Sequence, residues 1–365
     1  MEFSIERKLL LDLLLVGGSM SGKSKVLPIL DSCKVKLFGG KVIVSSYDGE
    51  NAVLKSGSVI NHDEDFSFCV NCSDFMKAIR SLKDAVLDFR LENGILVIKH
   101  LRGYMELPYE SSDEYPQIDN VTDGESFVGM DSELLYTWLS HARNFAANDA
   151  LRPVLCGVYL YFKDGEYGVC ASDGTSMYTD YRHTDLSVNM SAVITNAAIG
   201  SLLGVLKDSS TVDIRINDRN ISFSCSDSRM VCRLPNGSYP NFKSVLPKEH
   251  SVTVRLSRED LMDAVNRAKL FSSNSTSLCV METMNGELGV AAEDIDFSKK
   301  SVEQCTASIE GSIRIGAKGD ILIKCLSSLS CDGVVMEMQD ATRPIIFKDY
   351  DNPNLVILQM PMLAR

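Results

Sequence analysis

Residues 153–174 read PVLCGVYLYFKDGEYGVCASDG, and this stretch predicts a β-hairpin. Apolar and polar residues alternate on both sides of a glycine-containing turn, as in two paired strands with one buried face. Residues 28–50, PILDSCKVKLFGGKVIVSSYDGE, repeat the arrangement. In each copy a proline opens the first strand, and the aspartate of an Asp-Gly pair follows it by 20 residues. Matched landmarks at equal spacing indicate a repeated unit.

A weaker third copy lies at residues 277–294, SLCVMETMNGELGVAAED. Its turn is Asn285-Gly286, a strong hairpin signal because these residue types tolerate the positive φ angles of a two-residue turn. Asp294 takes the place of the aspartates that close the other two hairpins. The chain therefore contains three related hairpins.

Similar elements surround each hairpin. A short strand and a helix precede it, and a second helix and further strands follow it. Two of the helix starts carry cap residues, Asp131-Ser132 and Ser257 with Asp260. The predicted helices span residues 6–16, 73–83, 131–146, 195–207, 257–270 and 317–329. This order predicts an α+β fold of three tandem, topologically similar domains, each built from two strand–helix–strands halves.

Composition limits the class of protein. The chain has 365 residues, of which 45% are hydrophobic and 24% charged, so it can bury more than one core. No apolar run approaches the roughly 20 residues that a membrane span needs. The eleven cysteines are scattered singly, which favours reduced thiols in the cytoplasm over a disulfide framework. A net charge of −12 argues against extensive basic patches without excluding nucleic acid.

Four fragments, in order along the chain, carry a resemblance to a known family. They are RPVLCGV at residues 152–158, ASDG at 171–174, YPNF at 239–242 with VLP at 245–247, and MPML at 360–363. Together with the threefold repeat they resemble the bacterial DNA polymerase III beta subunit, the beta sliding clamp family.

The chain departs from the family pattern at three points. Thr175-Ser176-Met177 stands where the family typically has His-Arg-Leu, and Ser244 replaces a basic residue. Ala364 and Arg365 extend the tail beyond Leu363. These departures put partner specificity in question, and they also fit a divergent clamp from a phage or mobile element.

The resemblance implies the DNA clamp fold, with helices on the inner face and sheets outside. The implied clamp domains are residues 1–122, 123–248 and 249–365. Two subunits would close head to tail into a ring that encircles double-stranded DNA without sequence specificity. The protein would be a DNA polymerase processivity factor without a catalytic site or cofactor. Its partners would be the replicative DNA polymerase, the clamp loader and other proteins with short hydrophobic clamp-binding motifs.

The distribution of charge fits that arrangement. The six predicted helices sum to +3, and the rest of the chain sums to −15. Basic residues facing phosphate would bind DNA weakly and without reading bases. The candidates are Lys23, Lys25, Lys77, Arg80, Lys83, Arg143, Lys207, Arg267, Lys318 and Lys324. Each is also an ordinary solvated surface charge until contacts show otherwise.

The resemblance further implies two protein-binding surfaces. A partner-peptide pocket would be formed by Leu155, Ser172, Gly174, Met177, Pro240, Val245, Met360, Pro361 and Met362. A dimer interface would involve Lys77, Ile79, Tyr104, Leu270 and Phe271. Flexible methionine side chains suit a surface that accepts several different peptides. The alternatives are that Leu270 and Phe271 simply belong to the core and that Met360 and Met362 merely end a strand.

One segment suggests a different function. Residues 17–24, GGSMSGKS, match the phosphate-loop pattern of nucleotide hydrolases, with Lys23 and Ser24 as the functional residues. A true phosphate loop follows a strand and opens a helix. Here residues 8–16 predict a helix instead, and Pro28 would disrupt a helix that began at Lys23.

The remaining motifs carry little functional signal. Cys69 and Cys72 form a single CxxC without a second pair, which indicates buried thiols rather than a zinc site. The five histidines are dispersed and form no catalytic constellation. A third hypothesis, a clamp-like module that does not encircle DNA, stays open.

Overall fold

A computed structural model describes residues 1–23, 27–117, 121, 123–149, 151–185, 187–247 and 249–364. The α+β prediction is confirmed. The chain forms two compact units, one of Met1–Thr137 with Val188–Pro235 and one of Trp138–Ser187 with Asn236–Arg365. We call them unit 1 and unit 2. The boundaries of the three sequence repeats stay a prediction.

Six helices lie where the sequence predicts them. They are α1 (Arg7–Gly17), α2 (Cys72–Ser81), α3 (Ser132–Ala142), α4 (Asn196–Leu206), α5 (Arg258–Lys269) and α6 (Gly319–Ser327). The starts of α3 and α5 follow the predicted capping chemistry. The Asp131 carboxylate accepts hydrogen bonds from the N–H groups of Glu133 and Leu134, and Ser257 Oγ accepts one from the N–H of Asp260.

The strands account for most of the remaining structure. In the first third of the chain they are β1 (Glu2–Glu6), β2 (Ser32–Phe38), β3 (Lys41–Tyr47), β4 (Asn51–Ser58), β5 (Asn61–His62), β6 (Phe66–Asn71), β7 (Val86–Glu92), β8 (Ile95–His100) and β9 (Gly103–Ser111). The middle third contains β10 (Glu125–Asp131), β11 (Gly157–Lys163), β12 (Glu166–Ser172), β13 (Ser176–His183), β14 (Met190–Thr195), β15 (Thr211–Ile216), β16 (Asn220–Ser224) and β17 (Ser228–Arg233). The last third contains β18 (Val252–Ser257), β19 (Leu278–Met284), β20 (Glu287–Asp294), β21 (Lys299–Glu310), β22 (Arg314–Lys318), β23 (Gly333–Met338), β24 (Ile345–Asp349) and β25 (Val356–Gln359).

Each unit is organised by one antiparallel sheet. In unit 1 the order is β10-β15-β16-β17-β4-β3-β2-β6-β9-β8-β7-β1-β5. In unit 2 the order runs β11-β12-β13-β25-β24-β23-β18-β21-β20-β19-β22. Helices α1 and α2 of unit 1 bury Leu10, Leu13, Leu14, Phe75 and Ile79 against the sheet. The three hairpins predicted from sequence are β2–β3, β11–β12 and β19–β20.

Two strand pairings join parts of the chain that the sequence treats as separate repeats. In unit 1, β4 pairs with β17 so that Asn51 lies opposite Cys232. In unit 2, β13 pairs with β25 so that Ser176 lies opposite Gln359. Asn51 and Ser176 hold corresponding positions, because the N–H of Asp48 bonds to the carbonyl of Asn51 and that of Asp173 to the carbonyl of Ser176. The two pairings are therefore the same junction, made twice.

The phosphate-loop alternative is not supported. Residues 8–16 lie inside α1, so a helix leads into GGSMSGKS where a phosphate loop requires a strand. Gly17 has a packing role, since a Cβ there would lie 2.3 Å from the carbonyl oxygen of Val44. Lys23 Nζ lies 3.4 Å from Ser201 Oγ, and Ser24 falls outside the described residues.

A buried lysine stabilises the junction in unit 1. The side chain of Lys55, on β4, is only 5% exposed, and its Nζ lies 2.8 Å from a carboxylate oxygen of Asp12 on α1. Asp208 and Asp227 each place a carboxylate oxygen at 3.8 Å. Burial alone would lower the pKa of Lys55, but the hydrogen bond and charge of Asp12, with Asp227 and Asp208, outweigh burial and raise it. The ammonium therefore stabilises the folded unit at neutral pH and loses this contribution only as pH rises through its raised pKa.

We expect Asp12→Asn to destabilise the chain more than Lys55→Met. The asparagine leaves a buried ammonium without its closest carboxylate, at a cost of about 2 kcal/mol in the free energy of unfolding. Methionine removes the buried charge and fills much of the same space, so the cost is smaller. Urea unfolding of the full chain, with hydrogen exchange of β4 and β17, measures both. A larger loss for Lys55→Met would contradict the role assigned to Asp12.

Candidate partner-binding site

The turn between β12 and β13 is fixed by one carboxylate. Asp173 Oδ1 accepts hydrogen bonds from the N–H groups of Thr175 (2.8 Å) and Ser176 (2.7 Å), and Oδ2 accepts one from Ser176 Oγ (2.9 Å). Burial by itself would raise the pKa of Asp173, but these donors and the nearby Lys324 ammonium lower it. The turn therefore carries an ionised aspartate at neutral pH and presents Gly174 at its exposed tip.

The end of the chain runs beside this turn. Met177 lies opposite Leu358 in the β13–β25 pairing, and the N–H of Met360 donates to the carbonyl of Thr175 at 2.8 Å. Further along, the N–H of Met362 donates to the carbonyl of Gly316 at 2.8 Å. Backbone hydrogen bonds thus hold Met360 and Met362 in place on the surface of unit 2.

A third segment completes the surroundings of the turn. A Cβ on Gly174 would lie 3.5 Å from the guanidinium of Arg152, so the side chain of Arg152, just before residues 153–155, reaches the turn. Behind this segment the ring of Tyr159 stacks on that of Tyr239, with centroids 4.7 Å apart. The rings of Tyr161 and Phe242 are 5.6 Å apart. This aromatic cluster anchors the segment that carries Pro240 and Val245.

The predicted pocket residues differ in accessibility. Val245 is 56% exposed and Met360 41%, whereas Met177 is only 3% exposed. Leu155, Ser172, Pro361 and Met362 are partly exposed, and Gly174 and Pro240 are exposed. Met177 is therefore covered in the single chain, while the other predicted pocket residues are at least partly accessible to a partner.

Lys324 occupies a position that the sequence does not predict. It projects from α6, and its Nζ lies 2.7 Å from Ser176 Oγ, 3.2 Å from Asp173 Oδ2 and 4.5 Å from the centroid of the Phe145 ring. Its charge is thus paired with the turn of the candidate pocket. This pairing, together with a side chain that is only 22% exposed, makes Lys324 a weaker candidate for binding phosphate than a basic residue with an exposed side chain.

Sequence reasoning also missed three contributors to this site. Leu358 is 4% exposed and lies opposite Met177, and Tyr159 and Tyr239 support the outer segment. Strand alternation provides a signal for Leu358, since it lies two residues before Met360. Tyr239 lies in the YPNF fragment, but its stacking on Tyr159 has no such signal, because the two residues are 80 positions apart in sequence.

The candidate DNA-binding residues mostly lie at helix ends. Helices α2 to α6 are shorter than predicted, so Lys83, Arg143 and Lys207 follow α2, α3 and α4, and Lys318 precedes α6. Positive charge after a helix C-terminus is also favourable by itself, because it complements the helix dipole. Arg267 lies 2.7 Å from Glu303, and Lys77 lies 3.1 Å from Asp74. Arg80 and Lys23 are exposed, and Lys25 lies outside the described residues.

The predicted interface residues divide into exposed and buried ones. Leu270 is 73% exposed, Tyr104 66% and Phe271 40%, so all three are accessible to a partner. The side chain of Lys77 is exposed as well. Ile79 is fully buried in the core of unit 1, so it has no surface to offer a partner.

Neither the CxxC motif nor the helices add a second kind of site. Cys69 and Cys72 are buried free thiols. Within the described ranges, no three His, Cys, Asp or Glu side chains lie together as a metal site would require. None of the helices described here combines the length and apolar character of a membrane span.

Family models and curated relatives match most of the chain. The model for the N-terminal domain of the DNA polymerase III beta subunit matches residues 1–119, and that for its C-terminal domain matches residues 243–363. The beta sliding clamp of Streptococcus pneumoniae is 23% identical, covering 94% of this chain and 93% of its own length. That of Vibrio cholerae is 23% identical, covering 99% of this chain and all of its own length.

Solved structures agree with these matches. The crystal structure of a sliding clamp from Pseudomonas aeruginosa bound to griselimycin has a TM-score of 0.94 at 20% identity, with both chains covered completely. The DNA polymerase III beta subunit of Thermotoga maritima has a TM-score of 0.93 at 20% identity and the same coverage. At this level of identity the likeness establishes the fold. Since family models of the same subunit also match both ends of the chain in order, the chain belongs to the DNA polymerase III beta subunit family, the beta sliding clamps.

Proposed function

We propose that this protein is a DNA polymerase processivity factor, a homodimeric ring that encircles duplex DNA and holds the polymerase on its template. It acts in the cytoplasm as an accessory subunit without a catalytic site of its own. The observation that carries the proposal is the repeated junction, in which β4 pairs with β17 and β13 with β25. A third junction of the same kind would have to form between subunits.

The strands for that third junction are β21 and β9. Within the described part of the chain, residues 299–306 of β21 pair only with β20, and residues 103–108 of β9 pair only with β8. β21 corresponds to β4 and β13, because it follows the equivalent hairpin. β9 corresponds to β17, because the two strands make equivalent backbone hydrogen bonds. The N–H of Tyr109 donates to the carbonyl of Gly94, and the N–H of Leu234 donates to the carbonyl of Arg219. Each strand thus has a free edge that the other can satisfy.

The two existing junctions also give the register of the third. In the two existing junctions Asn51 lies opposite Cys232 and Ser176 opposite Gln359. At the proposed third junction, the corresponding pair is Lys299 with Leu107 of the partner subunit. The next pair is Lys300 with the partner's Glu106, of opposite charge. Two positions further, Val302 (59% exposed) faces the partner's Tyr104 (66% exposed). Charge and apolar surface are therefore complementary along the proposed junction.

DNA binding needs little affinity in such a ring. We propose that Lys23, Lys25, Lys77, Arg80, Lys83, Arg143, Lys207, Arg267 and Lys318 contact phosphates weakly from the inner face, with Lys324 contributing less. Such contacts are independent of sequence and weaken with salt through counterion release. Enclosure then retains the DNA, and the absence of base contacts lets the ring slide. The pocket around Met177 and Met360 accepts the extended hydrophobic motifs of the polymerase, clamp loader and repair proteins.

Loading onto DNA tests enclosure directly. We expect the protein, once placed on nicked circular DNA by its clamp loader, to stay bound through gel filtration in high salt. A single cut that linearises the circle should release it, because the ring slides off the ends. Blocking those ends with bulky proteins is the control and should restore retention. Equal release from circular and linear DNA would support the alternative of a clamp-like module that does not encircle DNA.

Charge reversal tests the dimer and its register. We expect Lys300→Glu and Glu106→Lys each to weaken the dimer about tenfold or more, because each places like charges opposite one another at both junctions of the ring. The double variant Lys300→Glu/Glu106→Lys should recover most of the affinity. Sedimentation velocity over a dilution series measures the dissociation constant. If the double variant were weaker than both single variants, the proposed register would be wrong.

A methionine pair tests the pocket. We expect Met360→Ala to weaken binding of a fluorescent peptide from the replicative polymerase of the same organism about tenfold, because a half-exposed thioether is lost from the groove. Met284→Ala is the matched control, since Met284 is 39% exposed against 41% for Met360 and lies at the end of β19. Fluorescence anisotropy gives both affinities. Equal peptide affinity for Met360→Ala and the wild type would remove Met360 from the pocket.

A further inference from the structure

The tip of the β20–β21 hairpin differs from the two tips that correspond to it. Between Asp48 and Asn51 the chain has Gly49-Glu50, and between Asp173 and Ser176 it has Gly174-Thr175. Between Asp294 and Lys299, which lie opposite one another, it has Ile295-Asp296-Phe297-Ser298. The third tip is therefore two residues longer and carries two large apolar side chains.

These apolar side chains have little cover in the single chain. Ile295 is 82% exposed and Phe297 is 72% exposed. The only ring contact described for Phe297 is Lys299, whose Nζ lies 5.4 Å from the ring centroid. Two large apolar side chains exposed on the same turn are unfavourable in water, and they indicate a surface that another protein surface covers.

The other two tips show what lies beside such a turn. In unit 1 the N–H of Arg233 donates to the carbonyl of Glu50 at 3.2 Å. In unit 2 the N–H of Met360 donates to the carbonyl of Thr175 at 2.8 Å. Arg233 and Met360 are corresponding residues. Each directly follows the residue, Cys232 or Gln359, that forms the pair of its junction nearest the hairpin tip. Each hairpin tip therefore rests on the end of the strand that joins its junction.

At the proposed subunit junction, the residue in that place is Pro108 of the partner subunit. Proline has no N–H, so the hydrogen bond that the other two junctions make cannot form there. Pro108 lies opposite Ile95 in the β8–β9 pairing, and both are at least partly exposed. In unit 1 the corresponding pair is Arg233 with Asn220, which is polar.

In unit 1 the tip residue Glu50 and the strand residue Arg233, whose backbones are hydrogen-bonded, carry opposite charges. At the proposed junction the apolar Ile295 and Phe297 would meet the apolar Pro108 and Ile95. We propose that Ile295 and Phe297 dock onto Pro108 and Ile95 of a second copy of this chain, as an apolar anchor outside the strand pairing. The inference rests on the proposed homodimer. Because a ring opens at a subunit junction, this anchor would slow opening and lengthen residence on DNA.

The double variant Ile295→Ser/Phe297→Ser tests the anchor. We expect its dimer dissociation constant, from sedimentation velocity, to rise at least tenfold, and its half-life on circular DNA to shorten. Peptide binding at the Met360 pocket should be unchanged. The matched control is Phe38→Ser, since Phe38 is also at a hairpin end, is 58% exposed and has Lys36 Nζ 4.9 Å from its ring centroid. The control should dimerise like the wild type.

The outcomes separate this inference from the proposed function. A double variant that dimerises as tightly as the wild type would overturn the anchor and leave the dimer intact. A wild-type chain that stays monomeric would overturn both. A second measurement uses Phe297→Cys with Pro108→Cys and a short bismaleimide, which should cross-link two subunits. If this variant sediments as a dimer but gives no cross-linked product, the inference is wrong.

Discussion

The free edge of a β-strand is the constraint on which this architecture depends. A row of backbone N–H and C=O groups is costly to bury unpaired and, when exposed, invites wrong pairing. The strand that follows each hairpin ends with such an edge. β4 satisfies its edge with β17, and β13 satisfies its edge with β25. Among the strands in equivalent positions, the described part of the chain leaves β21 and β9 with free edges, so the requirement that joins the repeats within the chain also favours its proposed self-association.

Side chains strengthen the same strands from the helix side. The residue four positions after Asn51, Ser176 or Lys299 makes a polar contact with the first helix of its repeat. Lys55 pairs with Asp12 at 2.8 Å, Asp180 accepts a hydrogen bond from Trp138 Nε1 at 2.8 Å, and Glu303 pairs with Arg267 at 2.7 Å. The three contacts differ in chemistry, but each is made from the same position of its strand. All three repeats therefore have a polar contact between strand and helix, although the charge and the residue types differ. This indicates that fixing the strand against the helix matters more than any one residue type.

Sequence patterns predicted local structure well because local structure depends on neighbours in the chain. The six helices and three hairpins follow from periodicity, caps and turn residues, such as Asn285-Gly286. The pairing of β4 with β17 could not be predicted in this way, since its register depends on residues 181 positions apart, Asn51 and Cys232. Ile79 shows the same limit, because an apolar residue on a helix can face either a core or a partner, and only packing distinguishes the two. Lys324 was predicted from its charge alone, and its actual partner lies on a distant turn.

The residues of the β12–β13 turn that depart from the family pattern, Thr175 and Ser176, take part in the contacts that link this turn to Lys324. Thr175 and Ser176 both place hydroxyl groups on the carboxylate of Asp173, at 2.8 and 2.9 Å. Ser176 Oγ also meets Lys324 Nζ, so the turn, the carboxylate and α6 form one hydrogen-bonded group. The turn that borders the candidate pocket is thus held by a lysine on α6, so the shape of the turn depends on a residue outside the predicted pocket.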